Sequence, residues 1–322
     1  MSNPIIHISP EICSLPCSDI PSLVLLTVFR MASVPFHMDT KATDAASPGG
    51  VLPYLSFADQ KVVGGLDACI ASLQTTLSID LDAAARLTPL ERTHAKAHEN
   101  MLSGLRDAID YVWWIHPLFF YNVTRPKYAR GYWAATRKGW AVSRKLQNRF
   151  GGLHDALKTA SNVLDHFEQL LGDKLFFLGK NEGDVPSLLD AYVYAHLAAC
   201  VDVHGDENQD GCADLRHAVL RRPSLIAFVT RIRERFFSDP LYGQTISHFA
   251  IPNVAIKEEA AASTKTKEGS DGKMTDEKRR NRNFMYASAL SIIGFLFFTN
   301  TIHTGTFADE VVVEEEEGGG RQ

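Results

Sequence analysis

A chain of 322 residues with 45% apolar and 22% charged side chains is long enough to bury one large or two modest cores, which excludes a disordered or collagen-like polymer. Its formal charge of −5 sits in residues 303–322, where six acids face Arg321 alone; the remainder is balanced, so no global field points to nucleic acid. The cysteines, Cys13, Cys17, Cys69, Cys200 and Cys212, are odd in number and lack CxxC spacing, which excludes a disulfide scaffold and predicts reduced, cytosolic thiols.

Residues 1–9 carry no Lys or Arg, and the first long apolar run, 23–29, is too short for a secretory core. The sequence therefore predicts no N-terminal targeting segment, with membrane insertion from the C-terminus after synthesis. Short β-type runs at 5–8 and 34–38 flank an apolar helix over 20–31. After a loop at 45–50, residues 54–57 and 61–63 read as a hairpin turning at Asp59-Gln60, and a helix follows from Leu66 to Leu77. The order is β-α-β, a loop, then β-β-α.

From Thr88 onward every strong pattern is helical. Thr88-Pro89-Leu90-Glu91 forms a capping box with proline in the first turn. It opens a long helix whose predicted apolar face includes Ala97, Met101, Leu105, Ile109 and Val112, and which Pro117 ends. Further helices are predicted at 128–150, 153–171, 187–200, 212–220 and 224–237, punctuated by Gly151-Gly152, Gly172 and Pro223. Ser187 and Asp190 form a second box, Ser187 capping the Asp190 N–H and Asp190 reaching back to the Ser187 N–H. Removing either side chain is expected to cost about 1 kcal/mol, and removing both less than the sum. His94 and His98 lie four apart on the long helix at metal-ligand spacing, but no third ligand accompanies them and they read as surface histidines. His196 reads as a hydrogen-bonded core residue.

Between Tyr111 and His154 there is no Asp or Glu, while Arg125, Lys127, Arg130, Arg137, Lys138, Arg144, Lys145 and Arg149 interleave with all four tryptophans, Trp113, Trp114, Trp133 and Trp140. Such a pattern suits an anionic membrane surface, an acidic partner or single-stranded nucleic acid. The structural alternative is that the aromatics form a helical core and the bases pair with acids from distant helices. Arg137, Lys138, Arg144 and Lys145 are the candidate docking surface.

Residues 251–283 are rich in Lys, Glu, Ala, Ser, Thr and Gly and read as a disordered linker. Lys278, Arg279, Arg280 and Arg282 then lead into nineteen largely apolar residues, 284–302. That length spans a hydrocarbon core as a helix, and a basic upstream flank with only acids nearby downstream places the body in the cytosol. A buried core helix is the alternative; against it, a polar tract precedes the segment and no foldable sequence follows. An anchor on the same chain favours headgroups over nucleic acid for the basic–aromatic stretch.

The second box has a specific context. Lys174-Leu175-Phe176-Phe177-Leu178-Gly179 precedes Ser187-Leu188-Leu189-Asp190-Ala191-Tyr192 by a short loop, and Val193-Tyr194-Ala195-His196-Leu197-Ala198 follows. This resembles the metaxin form of the helical domain of glutathione transferases. Val34-Pro35-Phe36 with Ser47-Pro48-Gly49-Gly50-Val51-Leu52-Pro53-Tyr54, and the aromatic region Trp113-Trp114, Phe120-Tyr121 and Tyr132-Trp133, are similar to other metaxin segments. The basic linker, single span and acidic tip resemble the layout of plant-type metaxins. The resemblance implies an α+β thioredoxin-like domain (1–80), with Pro53 at the position of the fold's cis-proline, and an all-α glutathione-transferase-like domain (81–250). A linker (251–283), a transmembrane tail anchor (284–302) and an acidic tip (303–322) complete the chain.

The function that the resemblance implies is a non-catalytic subunit of the mitochondrial outer-membrane sorting and assembly machinery, facing the cytosol and aiding import and insertion of β-barrel precursors. Its implied partners are the β-barrel core subunit and other subunits of that machinery, precursor proteins and membrane lipid, with no nucleic acid, cofactor, metal or catalytic residue. The rival is a membrane-anchored glutathione transferase-like enzyme. Such an enzyme needs a hydroxyl or thiol at the end of the first strand and an acid-plus-serine turn after the fourth. The second position here reads Val63-Gly64-Gly65-Leu66-Asp67, and Cys13 and Cys17 have no nearby base to activate them.

Overall fold

Asp19 starts the first helix: its carboxylate accepts from the Ser22 N–H at 2.8 Å, and Pro21 occupies the first turn, where no N–H is needed. In the computed structural model, which describes residues 3–237 apart from 43, 60, 129–131, 147, 179–184 and 204–211, this helix is α1 (Ile20–Met31), buried along nearly its whole length. It links strand β1 (Ile5–His7) to β2 (His37–Asp39), and β3 (Tyr54–Ser56) and β4 (Val62–Gly64) follow. The sheet order is β2-β1-β3-β4, with β1 parallel to β2 and antiparallel to β3, and β3 antiparallel to β4. Helix α2 (Leu66–Thr76) completes the β-α-β-β-α unit, and the Leu52–Pro53 bond is cis.

The second strand begins later than the sequence suggests. Ser33 takes a positive φ of 54° and the Val34 N–H turns back to the Phe29 carbonyl, so residues 33–34 close α1 instead of starting a strand. Pro35 has no N–H to offer, and pairing resumes where the His37 N–H reaches the Pro4 carbonyl at 2.9 Å.

The helical half follows its capping signals. A short helix, α3 (Leu81–Ala84), is capped by Asp80, and α4 (Pro89–Trp114) opens on the Thr88–Glu91 box. Next come α5 (Pro117–Phe119), a π-turn at Phe120–Thr124 and α6 (Arg125–Lys127), then α7 (Tyr132–Leu146), α8 (Leu153–Leu171), α9 (Leu188–Asp202), α10 (Cys212–Leu220) and α11 (Pro223–Phe236). The buried face of α4 differs from the predicted one in its first half. Ala97 and Met101 are exposed and Ala95 and Leu102 are inside, while Leu105, Ile109 and Val112 are buried as expected. α9 is buried on every side from Leu189 to Asp202 and packs on α1 and α4, as a helix apolar all round must.

Among the described residues no helix is long and apolar enough to cross a membrane. The predicted linker 251–283, apolar segment 284–302 and acidic tip 303–322 lie outside the described residues, as does Gln60 of the hairpin turn.

Candidate functional site

Beyond β1 the chain uses its hydroxyl and thiols for structure. The Ser9 hydroxyl accepts from the Ser18 N–H at 2.9 Å and is buried. Cys17 is buried, with its thiol 3.6 Å from the Asp19 carbonyl; burial, with Asp19 adding to it, pushes that thiol well above its ordinary pKa. A protonated thiol of this kind is a poor nucleophile. Cys13 is partly buried.

The turn after β4 is filled by the chain itself. Residues 47–49 fold over Gly64 so closely that a Cβ there would lie 2.5 Å from Ser47 Oγ and 3.3 Å from the Gly49 nitrogen. Gly65, at φ 87°, donates its N–H to the Pro53 carbonyl at 2.9 Å. Where a transferase holds its peptide through an acid and a serine, this turn has two part-buried glycines instead, and residues 47–49 occupy the space that a side chain at Gly64 would need.

One polar cluster was not legible in the sequence because its members lie 32 and 49 residues apart. His7 Nδ1 meets Asp39 Oδ2 at 2.9 Å, His7 Nε2 meets Ser56 Oγ at 2.9 Å, and the imidazole stacks on Tyr54 at 4.1 Å. Burial pushes Asp39 up, but the Lys41 N–H and His7 outweigh it and hold the carboxyl below its ordinary value. The order serine, histidine, aspartate is that of a hydrolase triad, yet Ser56 lies in a strand paired on both sides, with Ile5 and Val62. Such a position lacks the free pair of N–H donors that an oxyanion requires. The cluster ties three strands together.

At the start of α9, Ser187 and Asp190 form a capping box. Asp190 Oδ2 accepts from the Ser187 N–H at 2.8 Å and hydroxyl at 2.7 Å, and Oδ1 accepts from the Phe177 N–H at 2.9 Å. Burial pushes this carboxyl up to about 6 against those three donors. The Leu188 N–H donates to Asp82 Oδ1 at 2.9 Å, so α3 also caps α9. His196 is buried with Nδ1 2.7 Å from the Tyr192 carbonyl, and burial lowers its pKa to about 4. His98 departs from the surface reading. It is half-buried with Nδ1 3.1 Å from His166 Nε2, and burial, then His166 and His94, hold it below its ordinary value. Among the described residues no group of three or more His, Cys, Asp or Glu is arranged to hold a metal ion.

The basic–aromatic stretch divides between core and surface. Trp113 and Trp114 are buried, and Lys138 lies 4.4 Å from the Trp114 ring centroid. Lys145 and Arg149 both pair with the buried Asp107, at 3.0 and 2.5 Å. In contrast, Trp133 and Trp140 are 79% and 69% exposed, and Arg137 and Arg144 are exposed beside them. Of the four candidate docking residues, Lys138 and Lys145 are engaged within the fold and Arg137 and Arg144 face outward.

A thioredoxin-like α/β half followed by a helical half with a buried central helix is the fold of glutathione transferases, and two family models match it. Residues 22–119 match a glutathione S-transferase N-terminal domain and residues 160–232 a C-terminal domain. A glutathione transferase from Phanerochaete chrysosporium superposes with a TM-score of 0.52 over 74% of this chain and 99% of its own, at 14% identity. In sequence the chain is 27% identical to the metaxin-1 homolog of Caenorhabditis briggsae over 97% of its length and 98% of that protein. It is 28% identical to mouse metaxin-1 over 57% of its length, an alignment spanning 61% of the mouse protein, and 24% identical to the Drosophila melanogaster metaxin-1 homolog over 69% of each chain. In sequence the chain is thus similar to metaxins, on a glutathione-transferase-like fold.

Proposed function

We propose that this chain is a non-catalytic docking subunit of the mitochondrial outer-membrane sorting and assembly machinery, aiding import and insertion of β-barrel precursors. The observation that carries the reading is the turn after β4, where a chain similar to metaxins keeps the transferase fold but has Gly64 and Gly65 in place of the acid and serine, with residues 47–49 filling the space that a side chain at Gly64 would need. In this reading residues 284–302 anchor the chain in the outer membrane and residues 251–283 tether the folded body at its cytosolic face. Tethering raises the effective concentration at the barrel without tight binding. The partners are the β-barrel core subunit, other subunits of the machinery and precursor proteins.

The rival, a membrane-anchored glutathione transferase, draws on the retained fold. Depletion separates the two. Assembled outer-membrane β-barrels such as the porin are expected to fall before matrix proteins do, with glutathione conjugation unchanged. Normal porin assembly with reduced conjugation would replace the docking reading with the enzyme.

A further inference from the structure

On α7, Trp133, Arg137, Trp140 and Arg144 follow one another at spacings of four, three and four. At about 100° per residue they fall within roughly 60° of arc, a single stripe. The opposite face holds Ala135, Gly139 and Leu146, all buried. A Cβ at Gly139 would lie 3.2 Å from the Trp114 carbonyl oxygen and 3.4 Å from Phe120, so a glycine there lets α7 lie against the end of α4 and fixes the stripe outward. The usual pattern is thus inverted at the aromatics, with two of the chain's four tryptophans on the solvent side.

We infer that this stripe is a membrane-interface contact, seating the folded body on an anionic phospholipid surface with Trp133 and Trp140 at headgroup depth and Arg137 and Arg144 on lipid phosphates. Indole rings favour the boundary where one edge is apolar and the other wet, and guanidinium groups match phosphate oxygens in paired hydrogen bonds. Charge complementarity argues for lipid: α7 and its flanks from Tyr111 to His154 contain no acid, and the neighbouring Lys145 and Arg149 already balance Asp107. The stripe therefore keeps a positive field of its own, which an anionic leaflet attracts. A convex helix face with two protruding rings fits a soft headgroup layer without requiring a shaped pocket. The inference rests on the proposal that this chain is anchored in a membrane, and it names the lipid surface as what the body docks on.

The test uses the full chain added to preformed vesicles, of phosphatidylcholine alone or with phosphatidylserine, each containing brominated lipid to quench nearby tryptophans. In anionic vesicles the emission of wild type is expected to be quenched, and Trp133→Phe/Trp140→Phe, which leaves Trp113 and Trp114, should lose that quenching. Arg137→Gln/Arg144→Gln should lower the ratio of docked to undocked protein by roughly thirtyfold at low salt, at about fivefold per charge, and high salt should do the same to wild type. Both variants must keep the wild-type melt; a less disruptive pair, Trp133→Tyr and Trp140→Tyr, replaces the first if it does not. Protein that floats with vesicles but shows no quenching at the stripe overturns the inference and leaves the anchor standing. Protein that docks by the stripe yet does not stay with vesicles at high salt supports the inference and overturns the anchor. Equal quenching in phosphatidylcholine alone, or stripe variants that lose a membrane complex while vesicle quenching never occurs, also overturns it, the latter in favour of an acidic protein surface.

Discussion

Asp190→Ala is expected to destabilise the helical half by about 3 kcal/mol, against about 1 kcal/mol for Ser187→Ala. The sequence alone predicts equal losses, because a capping box is reciprocal. The structure breaks that symmetry, since Asp190 serves a third donor outside the box, the Phe177 N–H, 13 residues away in sequence. Truncating Ser187 removes the hydroxyl that accepts from the Asp190 N–H and donates to Asp190 Oδ2, leaving one backbone donor without its acceptor. Truncating Asp190 leaves the Ser187 N–H, the Ser187 hydroxyl and the Phe177 N–H without their acceptor at a place closed to water. Each buried donor so stranded costs about 1–3 kcal/mol, reduced here by relaxation and by relief of the carboxylate's own burial penalty. Denaturant titration of both variants and the double change checks this. The double change should cost little more than Asp190→Ala alone, because both remove bonds to one oxygen. Equal single losses would mean that the 176–178 segment is not held by Asp190.

Reading the sequence succeeds where a feature is decided within a few residues. Thr88 with Glu91, and Gly152 and Gly172 around residues 153–171, delimit helices locally, and each has the expected helix beside it. It fails where a distant element competes for the same residue. Val34 is β-branched and precedes a proline, yet the end of α1 takes its N–H. On α4 the apolar residues Ala97 and Met101 fit the helical period, but the positions of α8 and α9 select Ala95 and Leu102. The basic–aromatic stretch is legible as a composition and illegible as a surface: nothing local says that Asp107 claims Lys145 and Arg149 while Arg137 and Arg144 stay outside. The His7, Asp39 and Ser56 cluster needs three strands in register before it exists at all.

The buried ionisable groups of α9 should make stability respond to pH in opposite directions. Asp190 is raised from 3.8 to about 6, so the native state holds its proton more tightly than the unfolded chain. Its contribution is full below the unfolded value and is lost as pH rises through about 6. His196 is lowered from 6.5 to about 4, so the unfolded chain takes up the proton first. Its contribution is full above 6.5 and is lost as pH falls through about 4. Each spans about two pH units, or roughly 3 kcal/mol. As pH falls from 6.5 to 4, Asp190 therefore adds stability while His196 removes it, and in the wild type the two largely offset each other. Single variants expose them. His196→Gln, which retains a donor for the Tyr192 carbonyl, should be less stable than wild type at pH 7, with the gap closing as the solution is acidified. Asp190→Asn should show the reverse, a gap that widens between pH 6 and 4, because the variant cannot gain the proton. Midpoints of chemical unfolding at pH 7, 6, 5 and 4, taken as differences from wild type, cancel every group the proteins share. Two difference curves that run parallel would show that neither buried group titrates in this window.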